Sequence, residues 1–530
     1  MLRQSNIYRA ITLYLCALLL GVLLAGRAYG ADLYAAPSGH PGAAGSQTDP
    51  LDFPSAVSPT SPLKPGDTLW LEPGVYSYPV TPITTNNGLA GYGFQVSLVG
   101  TAAAPITIRG MSTDTSHVTI DGGLCLIPPS THLIITDLEI TTLQPRPAGP
   151  LSSNTYGLPV AWGGINLYSG DGCAIVDCVI HGNCQGISAW QASTNLTIAG
   201  CVIYNDGWET AADGSGDGHE VYSQNVASTG TKTLYGNIIA SGLSGYSLHC
   251  YGESGHVENF TVDHNVFLPG PGGRNSNVLI GGNLPSSGIL FSNNDIYHEA
   301  VILGWYAPYN LDCTVVGNDD MQPSADEMDI KNYVHTTLTD NTIVGWGVNI
   351  VRAPNWTPPA GQTWAMNASG NTISGVDYMG FPDGWQPPST LANGVNQIYA
   401  GYIQAGNVGS RPTAPTVHLI PDKYNPDRAV LDVLNWTKVP TVSVDLSALL
   451  HVGDRYQLLN PFDLWGAPVA AGTYTGPISL SPGEFSAYVV TRQPAPVVTL
   501  DSLAAQLADL AARVTALESR AALPPAPVAK

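Results

Sequence analysis

Six stretches decide the fold: TLYGNII (233–239), FTVDHNVF (260–267), LFSNNDIY (290–297), TVVGND (314–319), TLTDNTIV (337–344) and NASGNTIS (367–374). Each alternates apolar and polar residues and closes on an asparagine followed by an apolar step. The asparagines are Asn237, Asn265, Asn294, Asn318, Asn341 and Asn371, spaced by 28, 29, 24, 23 and 30 residues. Upstream, Cys201, Cys178 and Leu138 hold the same slot in TIAGCVI, AIVDCVI and IITDLEI. Unequal spacings exclude a strict linear repeat but suit coils whose corner loops vary in length. A coil of this size with two or three short strands is one rung of a parallel β-solenoid. A rung cannot bury its apolar face alone, so rungs stack about 4.8 Å apart and share one core. An asparagine inside each turn can then bond to the rungs above and below. About nine rungs between Thr131 and Val376 predict a rod roughly 40 Å long at that spacing.

Composition agrees. Of 530 residues only 11% are charged, 44% are hydrophobic, and Gly and Pro number 58 and 42. Lysine and glutamate, the usual occupants of solvated helix faces, number 6 and 10, which disfavours a helical bundle. The 30 aspartates suit turns, caps and metal sites better than helix interiors. A net charge of −21 argues against a nucleic-acid partner, because nothing basic enough to neutralise phosphates is present.

Residues 1–30 read as a secretory signal peptide: Arg3 and Arg9 precede an apolar run from Ile11 to Leu24, and Ala28-Tyr-Gly30 offers a cleavage site. Export to the extracellular space or cell surface is expected, with no membrane span after cleavage. Of the seven later cysteines none has zinc-like CxxC spacing, and buried packing is the expected role. Residues 31–383 form the expected helix with its N-terminal cap, and 384–414 a linker. Short alternating strands over 415–493 predict a β-sandwich. In 494–530 a linker precedes heptads, with Leu500, Leu507, Val514 and Ala521 at a and Leu503, Leu510 and Leu517 at d. Arg513-Val-Thr-Ala-Leu-Glu518 resembles a trimerisation motif, so a homotrimer through 500–521 is expected.

Three strings carry a resemblance: Leu33-Tyr-Ala-Ala-Pro-Ser-Gly39, Lys64-Pro-Gly-Asp-Thr-Leu-Trp-Leu-Glu-Pro-Gly-Val-Tyr76 and Gly100-Thr-Ala-Ala-Ala-Pro-Ile-Thr-Ile-Arg109. With the rungs that follow, to about residue 376, the chain resembles secreted right-handed parallel β-helix proteins of the pectate-lyase-like superfamily. The resemblance implies an all-β, right-handed parallel β-helix and a polysaccharide or glycan partner.

Alignment of the rungs by their apolar pairs turns Ile165/Leu167, Ile187/Ala189, Val221/Ser223, Leu248/Cys250 and Val278/Ile280 inward. One outward column then reads Asn166, Ser188, Tyr222, His249, Leu279; the next Tyr168, Trp190, Gln224, Tyr251, Gly281; a third Gly164, Gly186, Glu220, Ser247, Asn277. Flat rings suit the apolar faces of sugars, and Gln224, Asn166 and Asn277 can read hydroxyls. A loop packed over the rings is the alternative, and the polar flanks of the stripe favour the sugar groove. The interruption from Asn205 to Glu220 adds Asp206, Glu209, Asp213, Asp217 and His219. Glycosidic hydrolysis needs one protonated and one ionised carboxyl, and clustering pushes two pKa values apart. Asp217 and Glu220, with Asp213 as third member, are the expected catalytic pair, and His219 an expected substrate contact.

The same DGSGDG run could chelate Ca²⁺ through oxygen ligands or be a plain turn; no resident metal is otherwise expected. Gly218-His-Glu220 departs from the Gly-His-Gly of polygalacturonases. The alternatives are a polysaccharide lyase, with Tyr222 and His249 as acid and base and Arg274 or Lys232 facing a uronate, and a non-catalytic adhesin or trimeric spike. The Lys/Arg motifs of chondroitinase-B-like lyases are not present.

Overall fold

The computed structural model describes residues 30–78, 93–112, 116–143, 163–209, 216–227, 229–243, 245–252, 255–271, 277–322, 328–345, 347–351, 359–363, 365–375 and 410–493. The expected signal peptide, most of the linker and the heptads lie outside these residues. Among them, three parallel sheets of twelve, ten and eleven strands run side by side. The first extends from Asp32–Ala35 to Ala365–Ser369, the second from Phe94–Val96 to Val348–Val351, and the third from Gly74–Ser77 to Thr372–Gly375. Each rung adds one short strand to each sheet. The chain is a parallel β-helix.

The inward columns are the expected ones. Ile165 pairs with Ile187, Ile187 with Val221, Val221 with Leu248, and Leu248 with Val278. All five are fully buried in one core that runs the length of the helix. Each such side chain contributes about 1.5–3 kcal/mol. The seven cysteines after the signal are buried and form no disulfide among the described residues, packing as small groups. A four-residue helix, Phe53–Ala56, underlies the N-terminal end, where Phe53 meets the rings of Tyr76 and Phe94 edge-on.

The asparagine column is a continuous hydrogen-bonded ladder. Asn237 Nδ2 donates to Asn265 Oδ1 (2.8 Å), Asn265 to Asn294 (3.1 Å), Asn294 to Asn318 (3.0 Å), Asn318 to Asn341 (2.8 Å) and Asn341 to Asn371 (2.9 Å). Each Nδ2 also donates to a main-chain carbonyl of an adjoining rung, as Asn294 does to Val262 (2.9 Å). The residue before each ladder asparagine has positive φ: Gly236, His264, Asn293, Gly317, Asp340 and Gly370 lie between 51° and 69°. That explains the Gly, Asp, Asn or His at this position, since these residues tolerate the left-handed region best.

The third sheet's outer face is covered by residues 410–493. There, five antiparallel strands, headed by Thr416–Pro421 and Arg428–Leu434, lie beside a two-stranded sheet, Val442–Val444 with Ile478–Leu480. Both sheets share an apolar core that includes Leu431, Val433, Val444, Leu458 and Leu480. Ile420, Val430 and Val489 pack on Val202, Ile238 and Val266 of the helix. Arg428 crosses the seam: Nη1 donates to Asp177 (2.7 Å), to the Gly200 carbonyl (2.5 Å) and to Asp422 (3.3 Å). A Cβ at Gly200 would lie 2.3 Å from the Asp177 carboxylate, so glycine leaves the room this ion cluster uses.

Two charged residues break the apolar pattern from inside. Asp320 lies in the third-sheet strand Asp319–Met321, in register with Ile296 and Ile343, because the parallel pairing continues through it. Lys232 points inward from the first sheet between Leu196 and Phe260. Its ammonium donates to Ser193 Oγ (2.6 Å) and the Trp190 carbonyl (3.2 Å). Burial pulls its pKa down to about 7. The unfolded chain holds that proton up to the ordinary lysine value, so between the two values it binds more protons than the folded chain. Stability therefore rises with pH from about 7 upward, and the cost is full below 7. The shift corresponds to a cost on the order of 5 kcal/mol. In Lys232→Met the expected result is a flatter pH dependence: wild type gains in urea midpoint from pH 7 to pH 9.5 relative to the variant. Parallel curves would contradict this assignment.

Candidate active site

The second sheet presents the outward columns in the expected register. Asn166 pairs with Ser188, Ser188 with Tyr222, Tyr222 with His249, and His249 with Leu279. Tyr168, Trp190, Gln224 and Tyr251 follow two residues later on the same rungs. The rings touch in sequence: Tyr168 stacks on Trp190 (5.9 Å between centroids), Trp190 meets Tyr222 (5.3 Å), Tyr222 meets His249 edge-on (5.4 Å), and His249 stacks on Tyr251 (5.0 Å). Tyr222 is nearly covered, at 9% exposure, while Tyr168, Trp190, His249 and Tyr251 are half-buried.

Hydrogen bonds fix both proton-bearing groups. Tyr222 Oη donates to the Tyr251 carbonyl (3.0 Å) and accepts from Gln224 Nε2 (2.8 Å). Gln191 Nε2 donates to Gln224 Oε1 (3.4 Å), which orients that amide. The Tyr246 amide donates to His219 Nδ1 (2.9 Å), so neutral His219 carries its proton on Nε2. Nε2 lies 2.8 Å from His249 Nδ1, which therefore accepts, and His249 carries its own proton on Nε2. Burial lowers the His219 pKa to about 3 and keeps that ring neutral. A protonated His249 would turn two N–H groups against each other.

Glu220 departs from expectation. It is 1% exposed, and its carboxylate accepts from the Asp206 amide (3.2 and 3.3 Å) in the corner between the third and second sheets. Strand alternation holds over Val221–Ser223 only; one residue earlier the chain is still turning and the side chain enters the corner. A Cβ at Gly242 would sit 2.1 Å from Glu220 Oε1, and one at Gly186 2.6 Å from Asp206 Oδ2. The two glycines make this corner large enough for two carboxyl groups. Burial first, then the charges of Asp206 and Glu299, hold Glu220 well above the usual carboxylate range. Asp206 Oδ1 accepts from the Asn183 amide (2.7 Å) and Nδ2 (3.0 Å). Glu220 is thus placed to stiffen the corner beneath the face rather than to meet a substrate on it.

Of the other expected residues, Asp217 lies in a small antiparallel ribbon, paired through the backbone with Trp208, and its side chain is outside the described part. Asp213 and Arg274 are outside the described residues. Lys232 is buried behind the face and cannot oppose a substrate carboxylate. His219, an expected substrate contact, is buried at 8% beneath Tyr222 and His249. Asn277 begins the strand Asn277–Ile280 and is half-buried.

Sequence reasoning missed Tyr246, which stacks on His249 (4.4 Å) and approaches His219 (5.6 Å). Its signal was available: a fourth column, two residues before the strand's first inward residue, reads Gln185, His219 and Tyr246. Further along the second column, Gly281 and Gly304 leave no side chain before Lys331, whose ammonium lies 5.0 Å from the Trp305 ring and 2.9 Å from Asp329.

No family model matches the chain, and no curated protein matches it. Among solved structures it is similar to a mannuronic acid specific polysaccharide family 6 lyase from human gut microbiota, at 14% identity over 66% of this chain and 76% of that one, TM-score 0.40. It is similar to XylC in complex with xylose at 11% identity, covering 86% of this chain and all of that one, TM-score 0.41. It is also similar to the GH136 lacto-N-biosidase from Eubacterium ramulus at 11% identity over 64% and 67%, TM-score 0.27. Identities of this size leave the chemistry to be argued from the residues.

Proposed function

We propose that the second-sheet face binds a polysaccharide along its ring ladder and cleaves it by β-elimination, with Tyr222 and His249 as the reacting pair. The observation that supports this most is their pairing on adjacent rungs with both side chains oriented, while Glu220, the expected carboxyl, turns into the corner. In elimination from a uronan the C5 proton leaves, the bond from C4 to the leaving oxygen breaks, a C4=C5 double bond forms, and the leaving oxygen takes a proton. In the reacting state Tyr222 Oη has given to solvent the proton it otherwise donates to the Tyr251 carbonyl; the phenolate, held by the Gln224 N–H, takes the C5 proton and, as phenol, passes it to the leaving O4, which returns Tyr222 to the phenolate. His249 Nε2–H is a neutral donor for the charge that develops on the uronate carboxyl. Export and a trimer through 500–521 belong to the same reading, as a secreted enzyme acting on an extended polymer.

Hydrolysis is the second reading. The ribbon that carries Asp217 leaves the Asp206 corner and returns two residues before His219, bringing that backbone to the edge of the face. The deciding experiment incubates the protein with a polysaccharide panel and follows reducing ends together with absorbance at 235 nm. Elimination gives both signals, and reducing ends without the absorbance assign hydrolysis instead. Glycan binding with neither signal overturns the enzyme reading in favour of a non-catalytic binder.

A further inference from the structure

Four side chains outside this face converge at the seam between the helix and the C-terminal sheets. Asp295 and Asp319 are paired residues on successive third-sheet strands. His418 and Asp432 are directly opposite each other on the antiparallel strands Thr416–Pro421 and Arg428–Leu434. One pair faces the other across the seam. His418 Nδ1 lies 2.9 Å from Asp295 Oδ1 and 3.6 Å from Asp432 Oδ1, and Nε2 lies 3.7 Å from Asp319 Oδ2. Donor atoms of Asp295, Asp319 and His418 all fall within 4.8 Å of one another. A cavity of about 350 Å³ beside them is lined by His264, Asn293, Gly317 and Val417.

Asp432 makes the cluster more than a patch of acid. It is fully buried and approaches His418, yet neither carboxylate oxygen has a hydrogen-bond partner among the described residues. Its charge partner among the described residues is His418, 3.6 Å away, an imidazole that Asp295 and Asp319 share; a buried carboxylate short of hydrogen bonds costs several kcal/mol unless something neutralises it. One imidazole faces three carboxylates here.

We propose that Asp295, Asp319, Asp432 and His418 bind one divalent cation that ties the C-terminal sheets to the β-helix. A single ion takes one nitrogen of His418; from Nδ1 the Asp295 and Asp432 oxygens lie 2.9 and 3.6 Å away, near the roughly 3.3 Å between ligand atoms of a tetrahedral ion, and Asp319 joins the group of Asp295 and His418 within 4.8 Å. An imidazole nitrogen among carboxylates favours a first-row transition ion such as Zn²⁺ or Mn²⁺ over Ca²⁺ and Mg²⁺. The Ca²⁺ expectation for the DGSGDG run concerns a different segment, so the two can be tested separately.

The test uses the full chain, dialysed against chelator and titrated calorimetrically with Zn²⁺, then with Mn²⁺ and Ca²⁺, while Tm is followed. The expected result is one Zn²⁺ per chain and a Tm raised by several degrees, because a ligand that binds only the folded state stabilises it. Asp432→Asn should abolish both. Without metal it should melt no lower than wild type, since it removes a buried charge and keeps the shape. Asp319→Asn serves as second variant and should weaken Zn²⁺ binding at least tenfold. Absence of stoichiometric Zn²⁺ binding, or an unchanged Zn²⁺ response in Asp432→Asn or His418→Gln, overturns the assignment.

Discussion

Tyr222→Phe should lower turnover on the cleaved polysaccharide by about 10²–10⁴-fold, the usual range for losing a proton-transferring group. KM should change little, because the phenyl ring keeps its contacts with Trp190 and His249, at 5.3 and 5.4 Å. The variant loses one hydroxyl, which donates to the Tyr251 carbonyl and accepts from Gln224. Stability should fall by only about 1–2 kcal/mol, so the chain stays folded at assay temperature. A split between kcat and KM separates this role from a structural one, which would lower Tm without changing kcat per folded molecule. Turnover within tenfold of wild type would remove Tyr222 from the reaction.

The second large effect concerns the ladder. Asn294→Ala should destabilise the protein by about 3–5 kcal/mol, counting about 1–3 kcal/mol for each buried polar group left unpaired. Asn294 Oδ1 accepts from the Asn265 amide (2.9 Å) and Nδ2 (3.1 Å), and its own Nδ2 donates to Val262 and Asn318. The variant leaves these groups without replacement in a corner that is 0% exposed. Asn294→Asp should be comparably damaging: the Val262 carbonyl and Asn318 Oδ1 both require a donor, and a carboxylate has none. The measurement is the urea midpoint beside that of an exposed control such as Tyr306→Ala. Equal midpoints would show that the ladder follows from the fold and does not hold it.

The helix was legible because stacking forces every rung to repeat the same inward and outward positions. Ile165, Ile187, Val221, Leu248 and Val278 could be aligned from their apolar spacing alone, and the outward rings followed from the period of two. Legibility ended where that period ends. Glu220 lies one residue before its strand, so alternation assigned it to the face while the turn sends it into the corner. Lys232 defeats the pattern differently. It occupies an apolar slot with a long polar side chain that reaches the carbonyl of Trp190, 42 residues away in sequence. The seam cluster had no sequence signal: Asp295 and His418 are 123 residues apart, and only the docking of the C-terminal sheets joins them.

The central claim is that a polysaccharide lies across the second sheet. The most direct measurement is a crystal structure of Tyr222→Phe soaked with an oligosaccharide that the wild type cleaves. The sugar should run along Tyr168, Trp190, residue 222, His249 and Tyr251, with a uronate carboxyl within hydrogen-bond distance of His249 Nε2. Sugar bound on the first sheet or on the C-terminal strands, with this face empty, would contradict the account.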